Sequence, residues 1–253
     1  MMILLALLGY SDDSIVPHHE TWECHESLGL KDREDISLIL EDLAGTVINF
    51  GLQLHISKIS IGVPVTMNGK EELPPVAAWV WRKSLLYISR DIAKRLIKRD
   101  PAAIVAIYHE MVHSADNLKW TTMEIERDPK LLSEEINTAQ VLYLEYRAER
   151  ISFELFGKDL LSPIERDGVI ISLPRTEDDI VRIIRMMARA DVFCLDWKGP
   201  LSNVIDDHSP DELDKLEEIY TLINAENSNP KCYEKLAKIL SDNRISRFYR
   251  DTE

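Results

Sequence analysis

The chain has few cysteines, no long apolar run and no dense basic cluster. Cys24, Cys194 and Cys232 are three in 253 residues, odd in number and far apart. They form no C-x-x-C pair, which argues against a zinc ribbon or redox motif, and their count argues against a disulfide framework, so a reducing compartment fits. The apolar start "MMILLALLGYSDD" is far shorter than the roughly 20 residues needed to span a bilayer. It also lacks the positive flank and the small-residue cleavage site of a secretory signal. A buried strand or short helix is expected there, and a cytoplasmic location with no membrane partner. The nearest approach to a basic cluster, "KRLIKRD" from Lys94 to Asp100, reads as one solvated helix face. With a formal net charge of −14, the surface repels phosphates, so nonspecific nucleic-acid binding is not expected.

What is present is ordinary soluble-protein composition, 45% hydrophobic and 29% charged, in a chain long enough for one large domain or two small ones. No internal repeat or low-complexity stretch breaks it. Ile36, Ile39, Leu40, Leu43, Val47 and Phe50 recur at helical spacing and predict a first amphipathic helix. "HISKISIGVPV" is β-branched and predicts a strand, followed by the short strands "VAAWVW" and "SLLYIS", with a polar turn at Asn68-Gly69 between the first and second. After Ser89 the pattern turns helical. Asp100-Pro101 is a helix start, with Asp as N-cap and Pro at the first helical position, and that helix is expected to run to about Leu118. A polar loop and a long helix from about Glu134 to Phe156 follow, with Ser133 as N-cap and Gly157 as stop. "DGVIISLP" suggests a loop or short strand pair. Three further helical segments close the chain: "EDDIVRIIRMMARADVF", "PDELDKLEEIYTLINAE" and "PKCYEKLAKILSDN".

The Pro101 helix carries His109-Glu110-Met111-Val112-His113, an H-E-x-x-H pattern. Residues four apart on an α-helix lie about 40° apart around its axis, so the two imidazoles project side by side and can each give a nitrogen to zinc. Glu110 lies about 100° round from His109, beside a metal rather than on it, where it can take a proton from zinc-bound water. Ile104, Val105, Ala106 and Ile107 precede the motif, as in a helix buried enough to hold a metal rigidly. Zinc needs a third protein ligand. In the metzincin arrangement it would lie six residues beyond His113, where this chain has Lys119, and a protonated amine cannot ligate. Asp116 shares the metal-facing side, but three ligands from one helix would crowd, so it is expected to support a ligand or end the helix. On the long helix, "YLEYRAERISFEL" sets Glu145 and Glu149 four apart beside the small Ala148 and Ser152. They read either as a ligand with a neighbouring acid or as solvated acids paired with Arg147 and Arg150.

H-E-x-x-H followed on a later helix by "EYRAE" resembles the gluzincin type of zinc metallopeptidase. It is similar to the soluble catalytic domains of membrane peptidases that process prenylated or misfolded proteins. It is also similar to small cytoplasmic bacterial peptidases that cleave repressors of mobile elements and stress regulators, and the short separation and lack of membrane spans suit this second group. The resemblance covers about residues 76 to 157. It implies Zn²⁺ as cofactor, His109, His113 and Glu145 as ligands, Glu110 as the catalytic acid and base, and a peptide or protein substrate. The acid four residues after the ligand is usually Asp and supports a ligating histidine; here Glu149 stands there. The implied fold is α+β: a zincin-like domain over residues 1–160 with a small mixed or antiparallel sheet, then a mostly helical region over 161–253.

An oxyanion donor, commonly His, Tyr or Arg in such enzymes, would come from His208, Tyr143 or Tyr146. The strand bearing Trp79 and Trp81 is expected to serve as a substrate platform. His18, His19, Cys24 and His25 gather in "VPHHETWECHES"; such a cluster in an N-terminal loop is usually incidental. Two other readings compete with a peptidase. One is a non-catalytic regulatory or interaction protein on a metal-binding zincin scaffold. The other is a metal-dependent hydrolase of non-peptide substrates. Substrate identity, oligomeric state and the role of the C-terminal helices are not encoded in any motif.

Overall fold

The computed structural model describes residues 16–67, 70–80, 83–121, 134–156, 180–195, 210–224 and 235–239. The apolar start, Ser133, Gly157, "DGVIISLP" and the expected division at residue 160 lie outside these residues. The chain forms two compact units, Met1–Asn117 and Leu118–Glu253.

The first unit opens with a 3-10 turn at His19–Thr21, strand β1 (Glu23–Cys24) and helix α1 (Leu30–Asn49). Helix α1 buries Ile36, Ile39, Leu40, Leu43 and Val47, the positions its periodicity singles out. Phe50 is 47% exposed because it already stands at the C-cap. Gly51 follows with φ of 92°; its N–H reaches the Ile48 carbonyl at 2.9 Å and Leu52 N–H reaches Val47 at 3.3 Å. These two bonds satisfy the last carbonyls of the helix and need a left-handed residue, which glycine adopts without steric cost.

The expected strand "HISKISIGVPV" is two strands, β2 (Lys58–Ile61) and β3 (Val65–Met67). Gly62 separates them with φ of 66°, and a Cβ there would stand 2.3 Å from Arg90 Cγ. The chain turns where only glycine fits. Strands β3 and β4 (Lys70–Glu72) form a hairpin, with Met67 opposite Lys70, around the predicted Asn68-Gly69 turn, whose residues lie outside the described set. Strands β5 (Ala77–Val80) and β6 (Leu85–Ile88) complete a four-stranded sheet of order β1-β2-β6-β5. Pairings β1–β2 and β2–β6 are parallel and β5–β6 is antiparallel, so the sheet is mixed. Strand β6 lies inside the sheet and is buried along its whole length, as its unbroken apolar run requires, whereas β5 is an edge.

Helix α2 (Arg90–Ile97) starts at Ser89, whose Oγ accepts the Ile92 N–H at 3.3 Å. Helix α3 (Pro101–Thr121) starts as expected. Asp100 Oδ1 accepts the N–H groups of Ala102 and Ala103 at 2.9 and 3.3 Å, and the Asp100 carbonyl accepts Ile104 N–H at 3.1 Å. Arg95 holds the same carboxylate at 3.0 Å and, by that hydrogen bond above all, keeps the Asp100 carboxyl below the ordinary range. Charged in that way, it suits the positive end of the helix. Ser114, buried on α3, accepts the His55 N–H at 2.9 Å and ties the helix to the segment entering β2.

The second unit is helical where it is described: α4 (Glu134–Phe156), α5 (Ile180–Phe193), α6 (Pro210–Ile223) and a short helix at 235–239. Leu142, Ile184, Met187, Leu216 and Ile219 are fully buried at its centre. Within that core, Tyr146 donates to Asp191, and Tyr220 donates to the other oxygen of the same carboxylate at 2.6 Å. The molecule is α+β, with a small mixed sheet and mostly helices.

Candidate metal centre

Helix α3 presents His109 and His113 one turn apart, with His109 buried and His113 half-buried. Their Nε2 atoms stand 3.0 Å apart, and their rings meet edge to face with centroids at 4.6 Å. Two nitrogens on adjacent corners of a zinc tetrahedron with bonds of about 2.05 Å are separated by about 3.3 Å. The pair is thus near the spacing that a shared metal needs, and the helix alone produces it. Met111 and Val112 between them are fully buried, which fixes the rotation of the helix about its axis.

Glu110 points elsewhere, as its 100° offset requires. Its Oε2 accepts the Trp79 backbone N–H of edge strand β5 at 2.7 Å. The pairing of β5 with β6 explains why that N–H is on offer. The Ser89 N–H donates to the Val76 carbonyl at 2.8 Å, and Trp79 stands opposite Leu86. Antiparallel pairing alternates, so Val76, Ala78 and Val80 turn their peptide groups towards β6, while Ala77 and Trp79 turn theirs outward. The catalytic candidate therefore lies against the free side of the sheet edge. This contact is invisible in the sequence, because it depends on strand parity.

Asp116 is buried, at 2% exposure, on the same helix. On α4, Glu145 is half-buried and Glu149 is buried. Each meets an arginine of α5. Arg185 Nε donates to Glu145 Oε2 at 2.8 Å, and Arg189 Nε donates to Glu149 Oε1. Arg150 instead reaches Glu154 and Asn224, both at 3.1 Å. The sequence does hold a signal for this ladder: Arg185 and Arg189 on α5 repeat the spacing of four that separates Glu145 and Glu149. A carboxylate has two oxygens and about four lone-pair sites, so an arginine on Oε2 is compatible with ligation.

Two groups of side chains among the described residues have donor atoms close enough to hold a metal ion. In one, His109 and His113 on α3 each offer a ring nitrogen and Glu145 on α4 offers a carboxylate oxygen. Two imidazoles and a carboxylate are a zinc-type donor set with room for a fourth ligand. The other group is His18, His19 and Glu20.

Tyr143 is half-buried and packs against the helical core. Tyr146 is buried, with its hydroxyl on Asp191. Burial first, then the Asp191 hydrogen bond, pushes the Tyr146 phenol well above its ordinary pKa. His208 lies outside the described residues, as does Trp81. No family model, curated protein or solved structure matches the chain.

Proposed function

We propose that the protein is a zinc-dependent metallopeptidase, with His109, His113 and Glu145 holding the metal and Glu110 as general base and acid. The observation that carries this reading is the pair of converging imidazoles on α3 with the intervening glutamate directed to the outward N–H of an edge strand. Zinc in such a donor set polarises a carbonyl and lowers the pKa of a water it holds. Everything else falls to the chain. Glu110 takes the proton of the attacking water and returns it to the leaving amine. Strand β5 offers Ala77 and Trp79 as backbone partners for an extended peptide, which would add a strand to the open edge. A peptide laid there competes with Glu110 for the Trp79 N–H, so substrate pairing and the freedom of the carboxylate are linked. Arg185 orients Glu145 through Oε2, the usual way in which a ligating carboxylate is steadied by a neighbour. Of the two tyrosines, Tyr143 is the candidate to face the oxyanion, since Tyr146 is committed to Asp191; His208 keeps its place as a candidate as well.

The small mixed sheet with an edge strand beside the motif helix supports a zincin-like reading of the α+β fold. Among the described residues no helix is long and apolar enough to cross a membrane; together with the sparse cysteines, this supports a cytoplasmic location. The partner expected is a peptide or protein substrate, not nucleic acid. The experiment is to measure bound metal and peptide-library cleavage in the purified protein and in Glu110→Gln. Stoichiometric zinc in both, with turnover only in the unaltered protein, supports the reading. A folded protein that takes up no zinc sinks it, and zinc without turnover favours the non-catalytic scaffold.

A further inference from the structure

His18, His19 and Glu20 are consecutive, and consecutive side chains on an extended chain point to opposite sides. Here they do not. His18 has φ −58° and ψ 135° and caps a single 3-10 turn that begins at His19, so the chain folds back and stacks the two imidazoles. Their centroids are 4.6 Å apart with 29° between planes. Glu20 joins them, and one donor atom from each of the three lies within 4.8 Å of the others.

The turn is held by bonds that do not involve these donors. Thr21 N–H and Oγ1 both donate to the His18 carbonyl, at 2.9 and 2.8 Å. The indole N–H of Trp22 donates to the Pro17 carbonyl at 2.7 Å, and Trp22 is buried while the donors stay accessible. The backbone of the turn is thus held without the donors, which removes the backbone's share of the ordering cost. An ion pair does not explain the arrangement. His18 Nδ1 and Glu20 Oε2 are 3.9 Å apart with side chains 64% and 75% exposed, and exposed pairs of that kind contribute little.

We propose that His18, His19 and Glu20 form a second metal site, on the turn entering edge strand β1, for a divalent late first-row cation such as zinc. Two imidazoles and one carboxylate suit zinc, nickel or copper, whereas calcium and magnesium take oxygen ligands. The neighbours that make the sequence cluster look larger are otherwise engaged. His25 Nδ1 pairs with Ser27 Oγ at 2.9 Å, and burial pushes the Cys24 thiol up, away from the thiolate a metal would need. The site shares no residue with the centre on α3 and does not depend on peptidase activity.

The test is a zinc titration of the full chain after chelator treatment, read by calorimetry and by metal content. The unaltered protein is expected to bind two equivalents, His18→Gln/His19→Gln one, His113→Ala one, and the combined variant none. His25→Gln is expected to keep both. A His18→Gln/His19→Gln protein that binds as much zinc as the unaltered chain overturns the inference, as does loss of that equivalent in His25→Gln. If His18→Gln/His19→Gln loses an equivalent while His113→Ala loses none, the surface site stands and the proposed catalytic centre falls. Circular dichroism of each variant confirms that the fold is kept.

Discussion

Glu110 is where a local pattern and a long-range contact meet. Its place between His109 and His113 follows from three residues of helix, and its 2.7 Å contact with Trp79 N–H follows from a strand 31 positions earlier. Glu110→Gln keeps the size and an acceptor oxygen but cannot take a proton. Peptide turnover is therefore expected to fall about 10²- to 10⁴-fold, the usual worth of a positioned acid-base group, while bound zinc measured by metal analysis stays unchanged. The histidine pair was legible because a spacing of four on a helix is nearly a complete statement of geometry. Glu145 was legible as a candidate by its neighbours Ala148 and Ser152. Its Arg185 partner left only the matching spacing of four between Arg185 and Arg189, because nothing in "YLEYRAER" says which cation forty positions later will arrive beside it.

At the scale of elements, strand β5 and the α4–α6 core each carry a consequence. Trp79→Pro removes the N–H that holds Glu110, and because Trp79 turns its peptide outward, no bond to β6 is lost; proline is tolerated at such an edge. The bond that a substrate backbone would make to that N–H is lost with it, roughly 0.5–1.5 kcal/mol for a neutral pair, so peptide turnover is expected to drop about two- to tenfold, with zinc content unchanged. A loss of folded structure in circular dichroism would show that the N–H was part of the ladder after all. In the core, burial first and then the bond to Asp191 push the Tyr220 phenol up to about 12. A phenol raised above its unfolded value near 10 contributes stability that is complete below pH 10. That stability is lost as pH rises through about 12. Urea midpoints are expected to fall over that window, and Tyr220→Phe is expected to flatten the fall.

These elements divide by how local their cause is. Helix α1 was readable to its last buried residue, Val47, and the Asp100-Pro101 start of α3 was readable because a cap needs only its own next three residues. The strand "HISKISIGVPV" was read as one element and is two, since the reason for the break, Arg90 pressed against Gly62, lies on another element. The sheet order and the outward parity of Trp79 were out of reach for the same reason: pairing is decided by strands distant in sequence.

At the scale of the whole molecule, 30 basic and 44 acidic residues make a surface that concentrates cations, and the two proposed metal groups would draw on that surplus. A ligand that binds only the folded chain adds RT ln(1 + [L]/Kd) to its stability, about 2.7 kcal/mol at a hundredfold excess over Kd. For a chain of this size that corresponds to a rise in Tm of roughly 5–10 °C. Both metal groups would contribute, so the measurement belongs in the His18→Gln/His19→Gln background, where only the His109, His113 and Glu145 set remains. There, scanning calorimetry is expected to show zinc raising Tm and a chelator reversing the rise. Adding His113→Ala is expected to abolish the response while leaving the metal-free Tm nearly unchanged. A zinc response that survives His113→Ala in that background would place the stabilising ion somewhere other than α3.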